Sequence, residues 1–322
     1  MKKFIILILI LIATTELYSQ GVRWVREKHH LIGGIGGAGF MGDLGGANAI
    51  GSQGIRDFEF PAVRPSFMLG YRYRLFNNLA FTGNFTMGYI SGDDNHTEEP
   101  YRNNRNIHFR SPIYELAATT QFYLFNYEMQ GAYYRRVSRT ALRIFAIDAY
   151  IFAGIGGFYY NPQAFFDASE YTGTVAAADL PSNGWYNLRS LNTEGQGYFQ
   201  TREQYSPMSM VIPFGLGANV QIHRDFTVGL QLGFRKTFTD YLDDVSTTYV
   251  DPTIFSEIFE NPADRALAEH FSNPTNNTLS KNITQPGQQR GNPYNTDTYM
   301  FGLITVYYRI PDLFRPSGVI RF

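Results

Sequence analysis

The chain has 322 residues, a formal net charge of −1 and no cysteine. Near-neutral charge supplies no field for nucleic acid or for steering acidic ligands. The missing cysteine excludes disulfides, thiolate metal sites, a cysteine nucleophile and the lipid-anchor cysteine of a bacterial lipoprotein.

The richness in aromatics and glycine (27 Phe, 23 Tyr, 31 Gly) points to strands and turns rather than helices. Residues 1–19 read as a secretory signal: Lys2 and Lys3 are the basic start, Phe4 to Ala13 is an apolar run, and cleavage is expected between Ser19 and Gln20. Ten apolar residues fall short of the roughly 20 that a spanning helix needs. No later run is long enough either. The mature chain is expected to lie free beyond the inner membrane or to cross a membrane as strands.

The first strand-like segment is 30–40, which contains Gly34–Gly39, a GxGxxG pattern. A dinucleotide site needs a helix next. The sequence that follows, FMGDLGGANAIGSQG, has no helical period. Glycines that let strands approach or bend are the simpler reading, as at Gly154–Gly157. Period two then becomes clean. From Phe67 the apolar set is Phe67, Leu69, Tyr71, Tyr73 and Leu75, against Ser66, Gly70, Arg72 and Arg74. Leu79, Phe81, Phe85, Met87 and Tyr89 alternate with Thr82, Asn84, Thr86 and Gly88. Segments 107–125 and 144–160 follow less cleanly. Met208 to Ile222 and Phe226 to Phe234 alternate strictly, and 298–310 closes the set. Alternation marks strands with one apolar and one polar face.

The count is about eight strands, several near the 9–11 residues that a tilted strand needs to cross a bilayer. Connections near Asn77–Asn78, at 126–143 and at His223–Asp225 are short to medium, while 42–64, 92–106, 161–206 and 240–296 are long and polar. The expected fold is therefore all-β: an eight-stranded antiparallel transmembrane β-barrel over 20–310, with long extracellular loops. An even strand count puts both termini in the periplasm. Pro311 and Pro316 make 311–322 a periplasmic tail rather than a ninth strand. A secreted β-sandwich also alternates, but would show Lys and Glu on its second face, where this chain carries Gly, Ser, Thr, Asn and Gln. Tyr71, Tyr73, Tyr89, Tyr307 and Tyr308, near strand ends, suit interfacial girdles.

Four charges fall on the inward parity: Arg72, Arg74, Glu115 and Arg235. An eight-stranded interior is just wide enough to be filled by side chains. Glu115 is expected to pair with one or more of these arginines and to help plug the lumen. Acid collects at the loop ends, at Asp93, Asp94, Asp240, Asp243 and Asp244, as an extracellular rim. No twelve-residue calcium loop accompanies it. The six histidines, His29, His30, His96, His108, His223 and His270, sit in no nucleophile or zinc motif. His108, Ser111 and Glu115 share one strand, but His108 has the opposite parity. No enzyme, metal or cofactor is expected. The turn 126–143 offers Tyr133, Tyr134, Arg135, Arg136 and Arg139 as a periplasmic protein contact.

Several stretches occur in a recognisable order: RPSFMLGYRYRL, ISGDD, NRNIHFRSPIYELA, FAGIGGFYYNP, LNTEGQG, IPFGLGANV and GFRKTFTDYLDDVS. Together they resemble the PorG-like (DUF6089-like) outer-membrane barrels of the type IX secretion system. The resemblance runs from about Leu31 to Asp251 and includes the last strand. It implies a non-enzymatic outer-membrane component that anchors or organises a periplasmic ring of PorK/PorN-like proteins. A stand-alone structural or surface-binding barrel is the alternative.

Overall fold

The computed structural model describes residues 28–42, 44, 62–96, 99–125, 147–223, 225–276, 278–279 and 283–310. The signal segment 1–19, the turn 126–143 with Tyr133, Tyr134, Arg135, Arg136 and Arg139, and the tail 311–322 lie outside them, the turn's last residues included. The strands are β1 His29–Met41, β2 Arg64–Phe76, β3 Leu79–Asp93, β4 His108–Phe125, β5 Ile147–Tyr160, β6 Gln163–Phe166, β7 Gly184–Asn187, β8 Met208–Gln221, β9 Phe226–Thr237 and β10 Thr298–Arg309.

Eight of them close a ring in the order β1, β2, β3, β4, β5, β8, β9, β10, with β10 pairing back onto β1. Every pairing is antiparallel, so backbone groups along the ring find partners and no long edge is left. The short β6–β7 hairpin is an outgrowth, joined to β4 at Arg110↔Gln163. The alternation of the sequence explains the two surfaces. Leu69, Leu116, Ile155, Met208, Leu216, Leu230 and Ile304 point outward and are exposed. Ser66, Arg72, Thr82, Thr86, Gln121 and Thr305 point inward and are buried. In water such an apolar exterior would be an aggregation surface; in lipid it is the stable arrangement. On β4 the outward face is apolar or small from Tyr114 to Leu124. That length is about 33 Å along a strand and about 25 Å along the normal at the usual tilt, the height of a barrel's apolar band.

The interior is less polar than the sequence suggested. It holds Ile32, Met68, Ile90, Ile113, Phe158, Tyr299, Phe301 and Leu303 in one cluster that runs from the level of Tyr307 to the long-loop end. The girdle expectation also needs correction at one position. Tyr71, Tyr89 and Tyr308 face outward, but Tyr307 is wholly buried. Adjacent strand residues point to opposite faces, so Tyr307 and Tyr308 cannot both meet lipid.

The long loops depart most from expectation. The described residues of 161–206 and 240–296 fold into a cap with its own core of Ala164, Phe166, Leu188, Leu191, Val250, Phe255, Leu267 and Phe271. A helix at Pro262–Ser272 is central to it. Asn261 caps this helix by accepting from the Ala263 N–H, Pro262 occupies the first turn, and Ala266, Leu267 and Phe271 form the buried face.

Gly34–Gly39 lies within β1, which continues as strand to Met41. A Cβ at Gly36 would stand 1.9 Å from the Gly302 carbonyl oxygen across the β1–β10 seam, whereas one at Gly33 meets nothing within 4 Å. Gly36→Ala is therefore expected to cost about 1–3 kcal/mol by overpacking against backbone. Gly33→Ala should be tolerated. Heat-modifiable gel mobility checks both, and equal fractions of folded barrel would refute the seam argument.

The filled lumen and the capped mouth as the candidate functional site

Two layers of buried charge fill the barrel. Near the cap, Arg235 Nε lies 3.2 Å from Glu115 Oε2, and its Nη2 lies 3.4 Å from Oε1. Tyr299 donates its hydroxyl to Glu115 Oε2 at 2.8 Å. Arg235 also donates to the Gly233 carbonyl at 2.7 Å and stands 4.6 Å over the Phe301 ring. Glu115 and Arg235 are both almost wholly buried, so each depends on the other to offset its desolvation.

The second layer lies toward the short turns. Arg72 donates to the Tyr123 hydroxyl at 2.7 Å and sits 4.2 Å over the Tyr307 ring. Arg74 lies 4.8 Å over Tyr123 and 4.0 Å from the Asp148 carboxylate. Tyr150 bridges to Gln231 and Tyr307, each at 3.1 Å. Glu115 thus meets Arg235, while Arg72 and Arg74 are held in a tyrosine cage at a different height. Sequence reasoning missed Tyr123, Tyr150 and Tyr299 as lumen residues. Parity could have found Tyr299, which is out of phase with outward Ile304 and Val306.

The acidic rim requires correction. Asp93 and Asp240 are half-buried, but Asp94, Asp243 and Asp244 are wholly buried beneath the cap. Burial makes them fasteners. Asp94 receives Arg105 through Nε at 2.7 Å and Nη2 at 2.9 Å, with Arg102 at 3.5 Å. Asp243 accepts from the backbone N–H groups of Leu44 and Val245 at 3.2 and 3.0 Å. Asp244, in a left-handed conformation at φ 64°, accepts from Thr193 at 2.5 Å and from the Tyr205 hydroxyl at 2.6 Å. Beside it, Glu194 pairs with Arg290 at 2.8 Å and accepts from the Ser246 and Thr247 N–H groups at 3.0 Å each. With their oxygens committed to these donors, the acids form a structural knot. Among the described residues, no group of three His, Asp or Glu side chains is placed to hold a metal. His108 faces outward, accepting the Phe165 N–H at 3.0 Å, so it does not join Ser111 and Glu115, which are buried inside.

The knot has one carboxyl too many for its cation. Burial pushes the Asp244 carboxyl up to about 6, against the pull of Arg290 and the two hydroxyl donors. Arg290 is pushed up overall: burial opposes its charge, but Glu194 and Asp244 outweigh that. The folded cap therefore holds the Asp244 proton more tightly than the unfolded chain does. Its contribution is complete at low pH and falls away as pH rises from about 4 to about 6, a loss of about 3 kcal/mol. His270 has the opposite slope. Burial pushes it down to about 4, so stability is lost as pH falls from about 6.5 toward that value. Asp244→Asn keeps hydrogen-bonding capacity and tolerates positive φ. Relative to wild type it should gain stability from pH 4 to about 6 and level off above that in urea titrations. Parallel pH profiles for the two proteins would refute the assignment.

A closed antiparallel ring, an apolar outer band and a filled interior define a membrane-spanning β-barrel of the outer-membrane type. The chain belongs to a family described as Domain of unknown function (DUF6089), whose model matches residues 2–179. No curated protein matches it. Among solved structures it is similar to Neisserial surface protein A (NspA), with 8% identity, a TM-score of 0.37, and coverage of 88% of this chain and 97% of that one. It is also similar to Ail, the attachment invasion locus protein of Yersinia pestis, with 11% identity, a TM-score of 0.34, and coverage of 88% and 99%. For the E. coli Outer Membrane Protein W the values are 12%, 0.31, 88% and 99%.

Proposed function

We propose that this protein is a non-enzymatic outer-membrane component of the type IX secretion machinery, where it anchors or organises a periplasmic ring. The observation that carries the non-channel part is the lumen, filled at two heights by Glu115–Arg235–Tyr299 and by Arg72 with its tyrosines. Such an interior favours a scaffold over a conduit. The secretion part rests on the ordered motifs that resemble PorG-like barrels, and the partners are correspondingly PorK/PorN-like. β1 starts and β10 ends at the short-turn end, which in this reading faces the periplasm together with both termini. Tyr133, Tyr134, Arg135, Arg136 and Arg139 in the turn 126–143 are the contact we assign to the ring. Deleting the gene should trap type IX cargo in the cells, and the intact gene should restore its export. Normal export in the deletion strain, with no related copy compensating, overturns the reading.

The folded cap favours a second reading, a stand-alone surface-binding barrel that presents the 161–206 and 240–296 segments outward. Loss of surface or ligand binding on trimming 161–206 or 252–296, with export intact, would support it.

A further inference from the structure

On the described strands, the charges that point outward gather at the cap end. They are Arg110 and Lys236, with Asp93 at the last position of β3, where it accepts the Asn95 N–H. The carboxylates Glu115 and Asp148 point inward. Arg110 differs from an ordinary surface arginine because it is held flat. Its guanidinium lies 3.7 Å over the Trp185 ring, and its Nε donates to Gln163 Oε1 at 3.2 Å. Gln163 is fixed in turn by donating to Asn187 at 2.8 Å. Trp185 is flanked by Phe165 at 5.7 Å and by His108 at 6.2 Å. The β6–β7 hairpin therefore serves as a clamp on the outer face of β4. Both Nη groups of Arg110 lack a protein hydrogen-bond partner among the described residues.

Height identifies the ligand. Arg110 is four residues beyond Tyr114, where the apolar band on β4 ends. That is about 13 Å along the strand and about 10 Å along the normal, which is headgroup height. Trp and Tyr prefer this layer, and a rigid guanidinium fork matches phosphate geometry.

We propose that Arg110, clamped on Trp185, binds the phosphate of an anionic membrane lipid in the leaflet next to the cap. This rests on the membrane-spanning reading. The chain has two tryptophans, so a Trp24→Phe background leaves Trp185 as the reporter. The intact chain in uncharged detergent is titrated with short-chain phosphatidylglycerol, with short-chain phosphatidylcholine and with inorganic phosphate, and Trp185 fluorescence is followed. Phosphatidylglycerol should give a saturable change, phosphatidylcholine a weaker one and inorganic phosphate none. Arg110→Gln should raise the Kd about tenfold, and Arg110→Lys, which keeps the charge but not the fork, less. Heat-modifiable mobility confirms that each variant is folded. An unchanged Kd in Arg110→Gln overturns the proposal. Equal saturation by inorganic phosphate overturns the lipid source. Flotation with phosphatidylcholine vesicles separates the two readings. A chain that fails to float overturns the membrane reading. A chain that floats but ignores Arg110→Gln overturns this inference alone.

Discussion

Leu230→Arg is expected to destabilise the folded barrel by about 2–4 kcal/mol. Leu230 lies near the middle of β9, points outward and is 63% exposed. Its neighbours across the two seams are Ile304 and Ala218, also outward. A guanidinium there would sit near the lipid midplane, with no water and no carboxylate within reach. The cost depends on depth, which supplies the control. Phe238 is 61% exposed but lies just past the cap end of β9. Phe238→Arg should cost only about 0–1 kcal/mol near the interface. Equilibrium urea unfolding in lipid vesicles measures both. A wild-type midpoint for Leu230→Arg would mean that this face does not meet lipid.

Glu115→Leu should be comparably severe, at about 3–5 kcal/mol, for a reason inside the barrel. It leaves Arg235 buried without its carboxylate and removes the acceptor of the Tyr299 hydroxyl. Glu115→Gln preserves an acceptor for Tyr299 and should cost less. Replacing the pair together, as Glu115→Leu with Arg235→Met, should cost less than Glu115→Leu alone, because a buried pair exchanged for apolar groups is close to neutral. A double-mutant cycle exposes this coupling. If the two single effects simply add, the pair is not acting as a pair.

These two variants also show which parts of the molecule were legible in the sequence. The barrel strands were readable because lipid and lumen impose opposite demands on adjacent residues. The expected segments 30–40, 107–125 and 298–310 correspond to β1, β4 and β10 within a residue or so at each end. Parity placed Arg72, Arg74, Glu115 and Arg235 inside. Which arginine meets Glu115 depends on height, and height follows from strand stagger, which no single strand reveals.

The cap was harder to read. Asn261, Pro262 and Asp264 were visible start signals for the Pro262–Ser272 helix. Its core partners Phe166, Leu191 and Val250 come from other parts of the chain, so each stretch alone looked like a loop. The aspartates misled for the same reason. A run such as Asp243–Asp244 reads as solvated until Leu44, Thr193 and Arg290 are brought to it.

The β1–β10 seam has a consequence for how the molecule is made. His30 lies opposite Arg309, so the ring is completed by pairing nearly the first described residue with nearly the last. Until β10 emerges from synthesis and export, the growing sheet keeps two open margins lined with apolar side chains. Contacts so distant in sequence form slowly, and unfinished margins are prone to pair with the wrong chain. Speed of closure, rather than final stability, is then what most exposes this protein to loss. A helper that holds the first strand until the last arrives would increase yield without altering the finished barrel.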